Sequence, residues 1–239
     1  MKERWSRQEY LMGEQAMARL RSARVALFGL GGVGAAAAEA LARGGVGELH
    51  LIDHDTVSES NINRQLCALS STVGRRKVDV VAERVADIAP ETRVVTYPIF
   101  FLPETQLDFS AFDYVIDAID TVSAKVEIAR RAVAAGVPMI MCMGTGNKLD
   151  PTAFEVEDLA NTSVCPLARV MRRELRRHGI EHVKVVYSTE EAHVPHTPML
   201  GEHGKAIPGS VSFVPPVAGM IAAGEAIRTL CGIERGQAK

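Results

Sequence analysis

The chain has few cysteines and no closely spaced cysteine pair. Among its 239 residues the four cysteines are scattered, at Cys67, Cys142, Cys165 and Cys231. Disulfide-rich folds and four-cysteine zinc sites both require cysteines at short, repeated spacings. We therefore expect neither a disulfide scaffold nor a bound zinc ion.

Long apolar runs are also missing. No stretch reaches the roughly 20 apolar residues that span a bilayer, and the charged start, MKERWSRQEYLMGEQ, does not resemble a secretory signal. The net charge of −2 excludes a chain that is basic throughout, although a local basic patch remains compatible with a nucleic-acid partner. We expect a cytoplasmic protein that does not associate with membranes.

What is present is a regular alternation of apolar strands and helical segments, in a chain whose residues are 47% hydrophobic. This alternation predicts an α/β fold: a Rossmann-like, mostly parallel sheet flanked by helices. A helix over residues 9–22 is expected to lead into the first strand. We expect one domain over residues 1–239, with a nucleotide-binding half to about residue 150 and a substrate-binding and dimer-forming half after it.

A glycine-rich turn follows the first predicted strand, in the segment ARVALFGLGGVG. Gly29, Gly31 and Gly34 fit the pattern G-x-G-x-x-G, and Asp53 ends the next strand about 20 residues later. Such a turn lets backbone amides approach a phosphate, while the acid accepts hydrogen bonds from ribose hydroxyls. The motif predicts a nucleotide site but does not by itself distinguish NAD from ATP.

Polar residues follow that aspartate more closely than a dehydrogenase requires. Arg64 offers a planar set of donors for a phosphate, Asn61 offers an amide, and Lys77 begins the next predicted helix. Together with the additional glycine, Gly32, they favour a triphosphate that is cleaved. Two alternatives remain open here: salt bridges in a surface loop, and a nucleotide-binding protein without turnover.

Asp120 closes the predicted strand in FDYVIDAID. Ligands of parallel α/β sheets bind at the carboxyl ends of the strands, and a carboxylate there can hold magnesium. We therefore predict that Asp120 is a magnesium ligand.

The motifs RWSRQ, GLGGVG, LIDHD, SNINRQ, VGRRKVD and VIDAID occur in this order over residues 4–120. In this combination the sequence resembles the adenylating superfamily of ubiquitin-activating enzymes and of the activators of molybdopterin and thiamine sulfur-carrier proteins. The resemblance implies ATP-dependent adenylation of a carboxylate, with magnesium. It also implies a homodimer, in which Arg7 reaches into the ATP site of the partner subunit.

Motif position assigns roles residue by residue. Asp53 is expected to bind the ribose and Asp120 the magnesium ion. The residues expected to contact the nucleotide are Gly29, Gly31, Gly32, Gly34, Asp53, Asn61, Arg64, Gln65, Lys77 and Asp120. Those expected to be catalytic are Arg7, Arg64, Lys77 and Asp120.

The second half of the chain resembles one branch of that superfamily, the tRNA threonylcarbamoyladenosine dehydratases. The matching segments are GTGNKLDPTAFEVEDLANTSVCPLARVMRRELRRHGI, VVYSTE and SFVPPVAGMIAAGEAI. The resemblance implies activation of the threonine carboxylate of a modified base beside the anticodon, followed by closure of a hydantoin ring. The alternative is adenylation of the C-terminus of a ubiquitin-like sulfur-carrier protein. A monovalent cation, K⁺ or Na⁺, and a sulfur-transfer protein are further candidate partners.

A basic helix is predicted in PLARVMRRELRRHG. Arginines at helical spacings could contact tRNA phosphates, or could form a solvated face without a ligand. They are Arg169, Arg172, Arg173, Arg176 and Arg177.

Two further features leave their roles open. Cys165 stands where the dehydratase branch more usually has aspartate, and a thioester nucleophile is the alternative to a small core residue. His193, His196 and His203 occur in a segment rich in proline and glycine, without a recognisable metal-ligand spacing.

Overall fold

The computed structural model describes residues 3–201, 204 and 206–233. The strands are β1 (Arg24–Phe28), β2 (Glu48–Ile52), β3 (Arg93–Tyr97), β4 (Tyr114–Asp117), β5 (Met139–Cys142), β6 (Phe154–Asp158), β7 (Lys184–Ser188), β8 (Met199–Leu200) and β9 (Ala206–Ile207). The α-helices are α1 (Ser6–Met12), α2 (Glu14–Ser22), α3 (Gly32–Gly44), α4 (Lys77–Ile88), α5 (Val122–Ala134), α6 (Pro166–Arg176) and α7 (Pro215–Cys231).

Seven strands form one sheet in the order β3-β2-β1-β4-β5-β7-β6. Every pairing is parallel except that of β6 with β7. The predicted fold class is therefore confirmed. The chain builds outward from β1 through β2 and β3, then returns to the other side of β1 with β4. The carboxyl ends of β1 and β4 thus form a topological switch point, where open α/β sheets bind their ligands.

The sheet separates two apolar cores, because successive side chains of a strand point to opposite faces. In β1, Val25 and Leu27 join the core beneath α2, α3, α4 and α7, whereas Ala26 and Phe28 join the core beneath α5 and α6. A sheet buried on both faces explains why the strands consist of continuous apolar runs. Strands β6 and β7, from the second half of the chain, extend this same sheet.

The predicted leading helix is interrupted. Instead of one helix over residues 9–22, α1 ends at Met12 and α2 begins at Glu14. Gly13 between them adopts φ +85°, a conformation outside the right-handed helix that glycine reaches without steric cost. The apolar spacing continued through the break, so periodicity alone did not reveal it.

No helix within the described residues is long and apolar enough to cross a membrane.

Candidate nucleotide site

A cleft of about 380 Å³ lies at the switch point. Ten predicted nucleotide contacts can be compared with its walls. Nine of them line the cleft: Gly29, Gly31, Gly32, Asp53, Asn61, Arg64, Gln65, Lys77 and Asp120. We refer to this pocket as the nucleotide cleft.

The glycines of the turn have different physical roles. Gly29 adopts φ +88°, and a Cβ there would lie 2.7 Å from the Ala118 carbonyl oxygen. At Gly31 a Cβ would meet only the Gln65 Nε2 atom, at 3.8 Å, so a phosphate can approach this backbone. Gly34 does not line the cleft; a Cβ there would lie 1.7 Å from the Gly29 carbonyl oxygen. Gly34 therefore serves the close packing of α3 on β1 rather than direct ligand contact.

Asp53 ties the end of β2 to the glycine turn. Its Oδ2 atom accepts a hydrogen bond from the Leu30 backbone N–H at 2.6 Å, and its Oδ1 atom accepts one from the Asp55 N–H at 2.8 Å. Each carboxylate oxygen has a second lone pair, so a ribose hydroxyl can share this side chain. Asp53 thus organises the turn as well as facing the cleft.

The two predicted phosphate-binding cations are held in place by local partners. Lys77 begins α4, its side chain is only 5% exposed, and its Nζ lies 2.7 Å from Asp55 Oδ2. The half-buried Arg64 donates through Nη1 to the Ser60 carbonyl oxygen at 2.8 Å and to Asn63 Oδ1 at 2.7 Å. Both cations are therefore oriented before a nucleotide binds.

Asn61 and Gln65 shape the loop between β2 and α4. The Asn61 Oδ1 atom accepts from the Ser58 N–H at 3.1 Å, as part of a reciprocal capping box around a short 3₁₀ turn. The Gln65 side chain is buried, with its amide nitrogen beside Gly31. A buried amide in this position braces the loop against the glycine turn, and the side chains of Asn61 and Gln65 both reach the cleft wall.

Asp120 lies in a loop rather than at a strand end. Strand β4 stops at Asp117, and Asp120 is three residues further on, just before α5. It is exposed at the cleft, with Thr121 Oγ1 3.4 Å from its Oδ1. Apolar residues continue beyond Asp117, so the sequence pattern did not show where the strand ends.

A fully buried ion pair holds the loop between β4 and α5 in place. Lys125 Nζ lies 3.0 Å from Asp117 Oδ2 and donates to the carbonyl oxygens of Ile119 and Cys142 at 3.0 and 2.9 Å. The Ile119 N–H in turn donates to Asp117 Oδ1 at 3.2 Å. Burial raises the pKa of Asp117, and the Lys125 ammonium opposes that rise. Both backbone groups of Ile119, which lines the cleft beside Asp120, are thus held by one ion pair.

Sequence reasoning missed much of the cleft wall. Ile99, Phe100 and Phe101 supply an apolar end suited to a planar base, and the paired phenylalanines shortly after β3 were the available signal. Thr145 and Ser210 reach the cleft from distant parts of the chain, and neither has a sequence signature.

Arg7 does not line the nucleotide cleft. It is exposed on α1 and lies beside Tyr10, which is 94% exposed, while Leu11 on the same helix is 85% exposed. Two large apolar side chains protruding from one helix are typical of a surface that another protein covers.

The five predicted tRNA-contacting arginines come together on α6 and its C-terminal cap, around one shallow depression that we call the arginine surface: Arg169, Arg172, Arg173, Arg176 and Arg177. They are not equivalent. Arg172 is half-buried and donates to the Thr162 carbonyl oxygen at 2.8 Å, so it stabilises the turn before α6. Arg173 and Arg177 remain 67% and 65% exposed, with Glu174 lying between them.

All four cysteines are buried and unpaired. Cys165 is 4% exposed, packs in the core beneath α5 and α6, and does not line the cleft, which argues against a thioester nucleophile. Burial also raises the pKa of Cys142 to about 12. A thiol in such surroundings is inert.

The predicted histidine cluster is only partly described. His193 Nε2 lies 2.8 Å from Glu190 Oε1, while His203 lies outside the described residues. Within the described part of the chain, three potential metal ligands meet at Asp53, His54 and Asp55, on the rim of the nucleotide cleft.

Comparisons with known proteins identify the family of this chain. The ThiF family model matches residues 5–239. The tRNA threonylcarbamoyladenosine dehydratase of Bacillus subtilis is 41% identical, over 96% of this chain and 95% of that protein. The crystal structure of Escherichia coli tRNA N6-threonylcarbamoyladenosine dehydratase, TcdA, in complex with ATP has a TM-score of 0.86 and 34% identity, covering 96% of this chain and 94% of that one. By contrast, an adenylyltransferase and sulfurtransferase, uba4 of Aspergillus clavatus, is 38% identical over only 54% of this chain and 26% of that protein.

Proposed function

The chain belongs to the ThiF family, and we propose that it is an ATP-dependent tRNA threonylcarbamoyladenosine dehydratase. The observation that carries the proposal is the meeting of Gly31, Arg64, Lys77 and Asp120 in one cleft. The approachable backbone suits the phosphates of any nucleotide, whereas the two oriented cations and the carboxylate suit a triphosphate that is cleaved and are not required for hydride transfer.

The reaction begins at the threonine carboxylate of the modified base. A carboxylate oxygen attacks the α-phosphorus of ATP, pyrophosphate leaves, and a mixed anhydride with AMP forms. The adenine N6 nitrogen, which carries the carbamoyl carbon, then attacks the activated carbonyl carbon and loses its proton. The five-membered hydantoin ring closes, and AMP leaves with the original carboxylate oxygen. The sum is loss of one water from the base and conversion of ATP into AMP and pyrophosphate.

Several parts of the cleft have a place in this scheme. The apolar end binds the adenine, Asp53 binds the ribose, and the N-terminus of α3 binds the phosphates. Lys77 and Arg64 stabilise the negative charge that develops on the departing pyrophosphate. Asp120 would hold magnesium, which supplies further charge stabilisation when bound, and its exposed carboxylate at the cleft fits this hard cation. The protein would also bind a monovalent cation.

The whole chain acts as one unit in this proposal, with residues 1–150 binding the nucleotide and residues 151–239 the substrate. It forms a homodimer, in which Arg7 reaches the partner's cleft and Tyr10 and Leu11 are covered. The arginine surface contacts tRNA phosphates. A sulfur-transfer protein is a further partner, and the protein acts in the cytoplasm, where tRNA and ATP are available.

Mass spectrometry of nucleosides tests the proposal directly. tRNA carrying threonylcarbamoyladenosine is incubated with the protein, ATP and magnesium, and its nucleosides are compared with those of a reaction without ATP. We expect an ATP-dependent loss of one water from the modified nucleoside. An unchanged nucleoside, from protein that exchanges pyrophosphate when given a carrier protein ending in Gly-Gly, would replace this function with carrier activation.

A further inference from the structure

Two hydroxyl groups at the nucleotide cleft have no assigned role. Thr145 follows β5 and Ser210 precedes α7, and both half-buried residues line the cleft. Within the described residues neither hydroxyl makes a hydrogen bond, whereas the hydroxyl of Thr121, on the same wall, is beside Asp120. Thr145 and Ser210 therefore offer donors and acceptors to a ligand.

The position of Ser210 identifies the part of the ligand it faces. Its carbonyl oxygen accepts from Asn63 Nδ2 at 2.9 Å, next to Arg64. Five residues later, Pro215 lies so close to Gly32 that a Cβ on Gly32 would be 2.9 Å from the Pro215 Cβ atom. These two contacts tie the segment of Ser210 to the loop of Arg64 and to the N-terminus of α3, where phosphates bind.

Asn147 holds the segment before Ser210 against the loop that carries Thr145. Its N–H donates to the Gly209 carbonyl oxygen at 2.8 Å, and its Oδ1 accepts from the Gly209 N–H at 2.6 Å. Its carbonyl oxygen also accepts from the His193 N–H at 2.8 Å. Asn147 does this at φ +56°, a strained conformation that asparagine tolerates better than most residues.

The strain at Asn147 is local evidence of a constraint on this segment, because such conformations persist where surrounding contacts impose them. Gly146 strengthens the contact, since a Cβ there would lie 2.7 Å from the Pro208 Cβ atom. Two remote parts of the chain, residues 145–147 and 208–210, are thus held together at the phosphate end of the cleft.

Resting on the proposed function, we propose that Thr145 and Ser210 form the subsite for the threonyl moiety of the modified base, and that Asn147 is the positioning residue that keeps this subsite closed. The carboxylate must reach the α-phosphorus, so the threonyl group has to lie at the phosphate end. It carries a hydroxyl and a carboxylate, and both accept hydrogen bonds from side-chain hydroxyls.

The first test removes each hydroxyl at nearly constant volume, with Thr145→Val and Ser210→Ala. Ser212→Ala is the matched control, because Ser212 lies on the same turn but is exposed and does not line the cleft. We expect kcat/KM for modified tRNA to fall about three- to tenfold in each cleft variant, as for the loss of one hydrogen bond. The Kd for ATP of each cleft variant should stay within about twofold of the value for the wild-type protein. For the control, both kcat/KM and the Kd for ATP should stay within the same range.

The second test addresses Asn147. Asn147→Gly keeps the positive φ but removes the Oδ1 acceptor, while Asn147→Asp keeps the acceptor. We expect the glycine variant to raise KM for modified tRNA about tenfold or more with ATP binding retained, and the aspartate variant to restore most of that loss.

The outcomes separate the subsite from the function itself. If the unmodified protein dehydrates the nucleoside but the Thr145 and Ser210 variants keep its kcat/KM, the subsite inference is wrong and the function stands. A parallel loss of ATP affinity would also overturn the inference, because it would assign these hydroxyls to the nucleotide. If the unmodified protein leaves the nucleoside intact, the proposed function itself has failed.

Discussion

The nucleotide cleft and the arginine surface both contain several cationic side chains, but they hold those cations differently. In the cleft Lys77 is 5% exposed and bound to Asp55, and Arg64 is fixed by its own loop. On the arginine surface Arg173 and Arg177 are mostly exposed and share Glu174. Desolvated, oriented charges can stabilise a transition state, whereas exposed charges mainly supply attraction that salt weakens.

Lys125 tests whether burial alone makes a cation important for catalysis, since it is fully buried yet does not line the cleft. For Lys125→Met we expect the largest effect of the series, a loss of about 3–5 kcal/mol in the free energy of unfolding, because Asp117 is left as an unpaired buried charge. Urea unfolding at neutral pH measures it. The double change with Asp117→Asn should cost less than Lys125→Met alone.

The pH dependence of the same variant has a definite sign. Without Lys125, burial holds the pKa of Asp117 above its value in the unfolded chain, so the folded state binds the extra proton. The destabilisation should therefore be greatest at neutral pH and shrink as the pH falls through the raised pKa. A loss of stability that is independent of pH would show that the carboxylate charge is not its source.

Lys77 should affect catalysis rather than folding. We expect Lys77→Met to lower kcat for dehydration about a hundred- to a thousandfold, because a preorganised charge opposite the departing pyrophosphate is removed. Arg76→Met is the matched control, since Arg76 is adjacent, 56% exposed and paired with Asp79 outside the cleft. An equal fall in kcat in the two variants would show that a buried, oriented cation is no more important for catalysis than an exposed one.

Asp120 should show a smaller effect that depends on the metal concentration. We expect Asp120→Asn to lower the rate about ten- to a hundredfold at limiting magnesium and to recover partly as magnesium is raised, because one hard ligand is lost. Asp113→Asn, at the opposite end of β4 and paired with Arg24, should keep the unmodified magnesium dependence. Magnesium titration of initial rates distinguishes the two.

The arginine surface should give the smallest effect. Combining Arg173→Gln with Arg177→Gln should weaken binding of modified tRNA by only a few-fold and reduce the salt dependence of that binding, while kcat at saturating tRNA stays unchanged. Binding measured at several salt concentrations checks this. A large fall in kcat would mean that these exposed cations also position the reacting base.

The motif-bearing parts of the cleft were predictable because their function depends on local sequence. The glycine turn and Asp53 follow from short patterns, and all but Gly34 of the predicted nucleotide contacts line the cleft. Gly34 illustrates the limit, because the same motif glycine can serve packing or ligand contact, and only the 1.7 Å approach to the Gly29 carbonyl decides between them.

The substrate side was not predictable in the same way. Thr145 and Ser210 are brought together through Asn147 and Gly209, a contact between residues 62 positions apart that leaves no periodic trace. Asp117 and Lys125 likewise occupy an apolar strand end and a helix, where spacing could not reveal that both would be fully buried. When contacts between distant parts of the chain set the position of a side chain, the local sequence does not reveal that position.

The ion pair between Lys77 and Asp55 also has a consequence for ligand selectivity. A small anion such as chloride or orthophosphate would have to separate the ammonium from its carboxylate and could offer nothing else in return. ATP would gain contacts for its base and ribose elsewhere in the cleft in exchange for that partner. We therefore expect the internal counter-ion to make the cleft selective for a nucleotide over simple anions.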